Sequence, residues 1–400
     1  MWILCHEYDY ACIFGLQFTQ SNLLRFQNKE TAESSGEKMP PFLRFILTRL
    51  LSIPITLLIV TAVLYGFIML TPPESRVSLY ISPGWVDALF KRRITQEQFD
   101  NYVKRTIENN HLRDPYPVQY AFWLSNIVQG NWGYSPVLQD DVLKALLSRT
   151  SVTAELAIYS ILLFIPLGLF FGVSAGSRKD SRADRRFRLA AFIGTSMPPF
   201  ILALVLLSIF YVSVHWFPPE RLSIASSLVV RSSAFHAYTG LMTIDSILNG
   251  RLDVTIDAAR HLVLPVITLS LVHWATLGRV TRASVIEELQ KEYITAAKAR
   301  GISNRALVWK HGFRNSLSPA LTSSALAAAS LFTGVFVVEV IFNLRGVSQL
   351  IVSSFGDVAD PALALGFVIY SVIVVLLLML VLDIIQALVD PRVREGIITP

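Results

Sequence analysis

KEYITAAKARGISNRALVWKHGFRN, residues 291–315, carries seven Lys, Arg and His residues between two segments apolar enough to cross a bilayer. Helical signals run from Ser284 to Arg300, Gly301 supplies the left-handed residue that commonly ends a helix, and Ser303 is a good N-cap for the next one. The spacing predicts two helices meeting at a sharp elbow within the connection 284–318. Ala296, Ala297 and Ala299 keep that elbow slim enough to enter a groove on a partner, and Lys298, Arg300 and Arg305 are placed to pair with acids around such a groove.

The surrounding chain is 53% hydrophobic and only 16% charged over 400 residues. One soluble core of this size could not bury so much apolar surface, so several segments must face lipid. Six are long enough to span, near 43–70, 152–175, 189–214, 262–283, 319–341 and 362–388, since a helix rises about 1.5 Å per residue and the hydrocarbon layer is about 30 Å thick. The expected class is therefore an all-α membrane protein with six transmembrane helices. The loop at 176–188 holds Arg178, Lys179, Arg182, Arg185, Arg186 and Arg188, whereas the loop at 342–361 holds only Arg345. The first should be cytoplasmic and the second outside. Both ends of the chain then fall in the cytoplasm, in agreement with Arg44 and Arg49 before the first span and Arg392 and Arg394 after the last.

Residues 71–151 are then extracytoplasmic, with an amphipathic pattern at Gln96 to Ile107 and an aromatic stretch in which Trp123 and Trp132 suit a membrane interface. We read this region as a cap anchored on the membrane rather than a substrate contact. A second outer loop, 216–261, has no clear period and suggests no role. Residues 1–38 do not follow the pattern: they lack a secretory signal, and Met39 directly precedes the first span, so they read as a disordered extension or a misassigned start.

The net charge of +6 does not point to nucleic acid, because in a membrane chain basic residues mark cytoplasmic loops. The six cations of the loop 176–188 are explained by anionic lipid and topology alone. The two cysteines, Cys5 and Cys12, cannot brace distant loops and lack the histidine spacing of a metal site; no metal and no cofactor is expected. Gly168, Gly172 and Gly176 recur every four residues along the second span, a flat strip that suits close helix packing. The small-sided fifth span fits tight packing and a hydroxyl-lined pore equally well, which makes Ser323, Ser330 and Thr333 candidate pathway residues. Glu155, Glu339 and Asp383 fall near span ends and are read as interfacial or internally paired, and His273 as structural. So few mid-membrane charges argue against a proton-coupled secondary transporter, the alternative function. An intramembrane enzyme is a third, but His-Glu-x-x-His and Gly-x-Ser-x-Gly are both absent.

The opening stretch also resembles a known family, the membrane subunits of binding-protein-dependent ABC importers, in the dipeptide, oligopeptide and nickel permease branch. That family's loop reads Glu-Ala-Ala, three residues, then Gly; here Thr295, Ala296, Ala297 and Gly301 stand in those places, with threonine for the glutamate. The branch's His-x-x-Arg-Asn run is matched by His311, Arg314 and Asn315. The likeness continues in order through "QYAFWL", "GNWGYS", "ADRRFRLAAFIGTSMPPF", "LPVITL", "VVEVIFNLRGVSQL" and "ALVDPRVR", and departs at "VADPAL". The resemblance implies the type I importer permease fold and a multi-pass chain in the plasma membrane. It further implies that the Ala296–Gly301 elbow is the coupling helix, and that the partners are a second homologous permease, two ATP-hydrolysing subunits and an extracytoplasmic substrate-binding protein. Substrates in that branch are di- or oligopeptides, nickel complexes or oligosaccharides. A separate motor agrees with the sequence itself, which has no Gly-x-x-x-x-Gly-Lys-Ser/Thr phosphate loop.

Overall fold

The computed structural model describes residues 41–389 apart from 82, 92 and 356–359. The expectations for 1–38, and those resting on Cys5, Cys12, Arg392 and Arg394, lie outside the described residues. Helix α1 (Pro41–Ile68) leads into a small cap that contains α2 (Gln96–Asn109) and α3 (Tyr116–Val128). Then follow α4 (Val142–Gly176), α5 (Arg182–Ser196), α6 (Pro199–Leu207), α7 (Met242–Leu248), α8 (Leu252–Leu289) and α9 (Glu292–Ala299). The chain closes with α10 (Phe313–Ile341), α11 (Val347–Ser354) and α12 (Pro361–Val389). Among the described residues the only ladder is a two-stranded antiparallel one, β1 (Tyr134–Ser135) with β2 (Asp140–Asp141).

Five helices are long and apolar enough to cross a membrane: α1, α4, α8, α10 and α12. Three of them start and stop close to the apolar segments, but α4 and α8 run far past theirs. At 38 residues α8 is about 57 Å long. Hydropathy marks where lipid ends, and polar turns such as those holding Lys144 and Arg149 keep the helical backbone going beyond it.

The segment expected to span near 189–214 is a bent pair of helices. Two helices, Arg182–Ser196 and Pro199–Ser213, meet there at 101°. Consecutive prolines at 198 and 199 remove two N–H donors and push Met197 out of the helical region, to φ −98° and ψ 126°. Single prolines at 54, 166, 265 and 319 leave their helices continuous. The tandem pair was in plain view, but an unbroken apolar run masked it.

The core lies between α4, α8 and α10, with Leu156, Phe164, Leu264, Leu277, Leu331 and Val335 buried together. The glycine strip is a packing face, as its spacing suggested. A methyl at Gly168 would meet Leu277, one at Gly172 would press on the Gly278 carbonyl oxygen at 2.7 Å, and one at Gly176 on that of Arg282 at 2.9 Å.

In the cap, α2 starts with a capping box between Thr95 and Gln98. The interfacial reading of Trp123 is corrected: it is buried against Tyr65 of α1, with ring centroids 5.1 Å apart. Arg76 is also buried, donating to Gln119 Oε1 at 2.5 Å and to the Leu112 carbonyl at 3.0 Å. Asp360 caps α12 through Leu363 N–H at 2.9 Å and accepts Ser135 Oγ at 2.5 Å, which ties the cap to the last helix.

The carboxylates at the span ends all have internal partners. Glu155 accepts from Arg221 at 3.1 Å and from both the N–H and Oγ1 of Thr243. That contact fastens the loop 216–261, which suggested no role in the sequence, to α4 at the outer limit of its apolar stretch. Glu339 accepts the Ser348 N–H at the start of α11 at 3.0 Å, and Asp383 pairs with Arg49 at 3.1 Å. His273 packs against the Phe164 ring.

Candidate functional site

Helix α9 lies at one end of the bundle, beside the turn Leu307–Gly312. The long helix predicted from Ser284 to Arg300 is in fact two, because α8 stops at Leu289 and α9 begins at Glu292 with Lys291 extended at φ −69° and ψ 150°. Its C-terminus closes as the composition requires. Gly301 has φ +81°; its N–H donates to Lys298 O at 3.0 Å and that of Ile302 to Ala297 O at 3.3 Å, the two bonds of a Schellman motif. Nothing lies within 4 Å of a Cβ placed at Gly301, so glycine is required there by conformation rather than by space. Ser303 caps the following turn through Ala306 N–H.

Helix α9 is fixed by one buried side chain and one chain of hydrogen bonds. Ile294 is its sole buried residue. Glu288, at the end of α8, accepts Lys291 Nζ at 2.5 Å and Tyr293 Oη at 2.7 Å, and Tyr293 Oη accepts Asn315 Nδ2 at 2.8 Å. Three helices thus meet through four polar side chains. The Glu288 carboxylate holds the Lys291 ammonium above its ordinary range, while burial and donation to Glu288 both raise the Tyr293 phenol. Both groups therefore keep their donor protons through neutral pH.

The remaining surface of α9 is open. Thr295, Ala296, Lys298, Ala299 and Arg300 are exposed and Ala297 is half-buried. Among the described residues no carboxylate lies within ion-pair reach of Lys298, Arg300, Arg305 or Arg314. An alanine-sided helix flanked by unpaired cations is suited to enter an acidic groove. Asn315 is joined to α9 directly. His311 lies half-buried in a π turn, Leu307–Gly312, and Arg314 is exposed beside it, so neither shares a bond with α9. Gly312 of that turn faces Leu289 at the end of α8.

Ser323, Ser330 and Thr333 share one side of α10, away from this site. Ser330 and Thr333 are exposed there with Leu326, and Ser323 is half-buried. This is the side of α10 that the described residues leave uncovered.

Glu288 and Tyr293 were missed in the sequence, because the helix break that lets them meet was itself not predicted. Asp184 was missed as well. It is fully buried at the start of α5 and accepts Arg282 Nε at 2.5 Å and Nη2 at 2.8 Å, clamping the basic loop to α8. Arg282 therefore has a structural partner besides any part in topology.

Comparison with known proteins gives this geometry its context. Residues 165–395 match the family described as binding-protein-dependent transport system inner membrane component. The chain is 31% identical over 285 residues to the di/tripeptide transport system permease protein DppB of Pseudomonas aeruginosa, covering 71% of this chain and 82% of that one. It is 31% identical over 346 residues to the oligopeptide transport system permease protein AppB of Bacillus subtilis, covering 86% and 97%. It is 27% identical over 354 residues to the glutathione transport system permease protein GsiC of Salmonella typhimurium, covering 88% and 99%. With a family match over more than half its length and relatives aligned nearly end to end, the chain belongs to the binding-protein-dependent inner-membrane transport components, as a multi-pass permease subunit of an ABC importer.

Proposed function

We propose that this permease supplies half of a translocation pathway for short peptides, and that α9 is the coupling helix through which a separate ATPase subunit drives it. The observation that carries the reading is the α9 elbow: short, alanine-sided, exposed, and tied at its first turn, through Tyr293, to both α8 and α10. The end of the bundle bearing α9 also bears Arg178, Lys179, Arg182, Arg185, Arg186 and Arg279, which supports a cytoplasmic placement of α9 and of both chain termini. The absence of a phosphate loop in the sequence supports ATP hydrolysis in partner subunits. The relatives' names support peptides as cargo, and the family's description supports delivery by a separate binding protein. A second, similar permease would complete the lumen against the uncovered side of α10, with Ser323, Ser330 and Thr333 offering hydroxyls to a passing peptide. The carboxylates at the span ends are already partnered by Arg221, Ser348 and Arg49, which leaves a proton-coupled mechanism without support.

The test is Gly301→Val in the assembled transporter. A β-branched residue at φ +81° costs about 1–3 kcal/mol of backbone strain, and no side-chain clash is involved. Expected are retained assembly and basal ATP hydrolysis with peptide uptake reduced roughly tenfold or more, the range a coupling free energy of about 1–3 kcal/mol commands. Gly301→Asn, which tolerates the left-handed region, should recover much of the uptake. Wild-type uptake by Gly301→Val would count against α9 as the coupling element.

A further inference from the structure

At the end of the bundle opposite α9, a cleft of about 510 Å³ opens between the first turns of α4, the segment 220–231 and the turn 343–345. Its size falls within the range of small-ligand sites, about 300–1,000 Å³. Three of its lining residues, Glu220 at φ +76°, Asn343 at φ +52° and Arg345 at φ +57°, hold left-handed backbone without being glycine. Such strain gathers at functional sites and persists only where the surroundings enforce it. Here they do: the Glu220 N–H donates to Phe342 O at 2.7 Å, and Arg149 Nη1 donates to Arg345 O at 2.8 Å.

The cleft has a charged rim and an apolar floor. Four arginines line it. Arg221 is engaged by Glu155, and Arg149 holds the Arg345 turn. The guanidinium groups of Arg231 and Arg345 have no carboxylate within ion-pair distance among the described residues. Glu220 is the single lining carboxylate and accepts Asn343 Nδ2 at 3.4 Å. Val152, Leu222 and Leu344 form the floor.

We infer that this cleft receives the C-terminal residue of an incoming peptide, its carboxylate on Arg231 and Arg345 and its side chain on the floor. Guanidinium forks suit a carboxylate, and a concave floor suits a single side chain. The inference rests on the peptide reading given above.

The experiment uses the complete transporter, with its ATPase, partner permease and binding protein, reconstituted in phosphatidylcholine vesicles. Wild type is compared with the double variant Arg231→Gln/Arg345→Gln and its lysine counterpart, using a labelled tripeptide and its C-terminal amide. Affinity is read without binding protein, and uptake is read with it. Expected is an affinity for the free acid about tenfold weaker in the glutamine variant, equal weak affinity of both proteins for the amide, and partial restoration by lysine, which keeps the charge but not the fork. Equal binding of the free acid by wild type and glutamine variant, or no preference for acid over amide in wild type, overturns the inference. So does an effect seen only as a higher binding-protein concentration for half-maximal ATPase stimulation, which would make the cleft a docking surface, or only in vesicles containing phosphatidylglycerol, which would make it a lipid site. Absence of peptide uptake by wild type would instead overturn the peptide reading itself.

Discussion

Gly172→Val is expected to leave little folded permease in the membrane. The residue sits where α4 and α8 come closest, and even the first methyl of a side chain would stand 2.7 Å from both the Gly278 carbonyl oxygen and Thr281 Cβ. One of these neighbours is backbone, so no rotamer change relieves the overlap and the two helices must separate. Separation would disturb the core they share with α10, where Phe164, Leu277 and Leu331 are buried together. Overpacking a well-packed interior ordinarily costs about 1–3 kcal/mol, and a branched side chain against a carbonyl belongs at or beyond the upper end. The yield of monodisperse protein after detergent extraction should fall well below that of wild type, since a loss of this size is a large fraction of the stability of a marginally stable fold. Gly66→Ala is the matched control. Its nearest neighbour is Tyr116 at 3.8 Å, and alanine in a helix interior is favoured over glycine by about 0.5–1 kcal/mol, so that variant should match or exceed wild type. Normal yield from Gly172→Val would mean that α4 and α8 are not packed as described.

Glu288→Ala is expected to produce the opposite phenotype, a folded protein with a broken transmission. Glu288 is the acceptor that both Lys291 and Tyr293 share, and through Tyr293 it reaches Asn315. Lys291 and Tyr293 stand partly in water, so losing their partner costs little stability. What is lost is the orientation of α9 relative to α8 and α10, leaving Ile294 as the sole anchor. If α9 transmits the motor's stroke, peptide uptake per ATP hydrolysed should drop about tenfold while thermal stability changes little. Tyr293→Phe and Asn315→Ala should each give a smaller loss. Their combination should be no worse than the larger of the two, because they share one hydrogen-bonded chain. Unchanged uptake per ATP in Glu288→Ala would mean that this chain positions nothing of consequence for transport.

What the sequence showed and what it hid follow from the range of the interactions. The C-terminal turn of α9 was legible because a Schellman motif is written in consecutive residues, with Gly301 the one type that adopts φ +81° freely. The glycine strip was legible for the same reason, a period of four along one helix. The break at 197–199 was hidden because a hydropathy window averages over the tandem prolines. The lengths of α4 and α8 were hidden because apolarity ends before helicity does. Least legible were contacts between distant segments. No local pattern joins Glu155 to Thr243 or Asp184 to Arg282, and Trp123, surface-like by type, is buried by a tyrosine on another helix. At the candidate site the exposed residues of α9 were found from the sequence, whereas the residues that hold it, Glu288 and Tyr293, emerged only from the fold.

The most direct measurement replaces Cys5 and Cys12 by serine and places a single cysteine at exposed Ala296 in the assembled transporter, where a short bifunctional crosslinker joins it to whatever lies within reach. A crosslinked product containing the ATPase subunit, its yield changing when ATP is bound, is the expected result. If Ala296→Cys never reaches that subunit, or is labelled by a membrane-impermeant thiol reagent added outside intact cells, α9 is not the element that links motor to membrane.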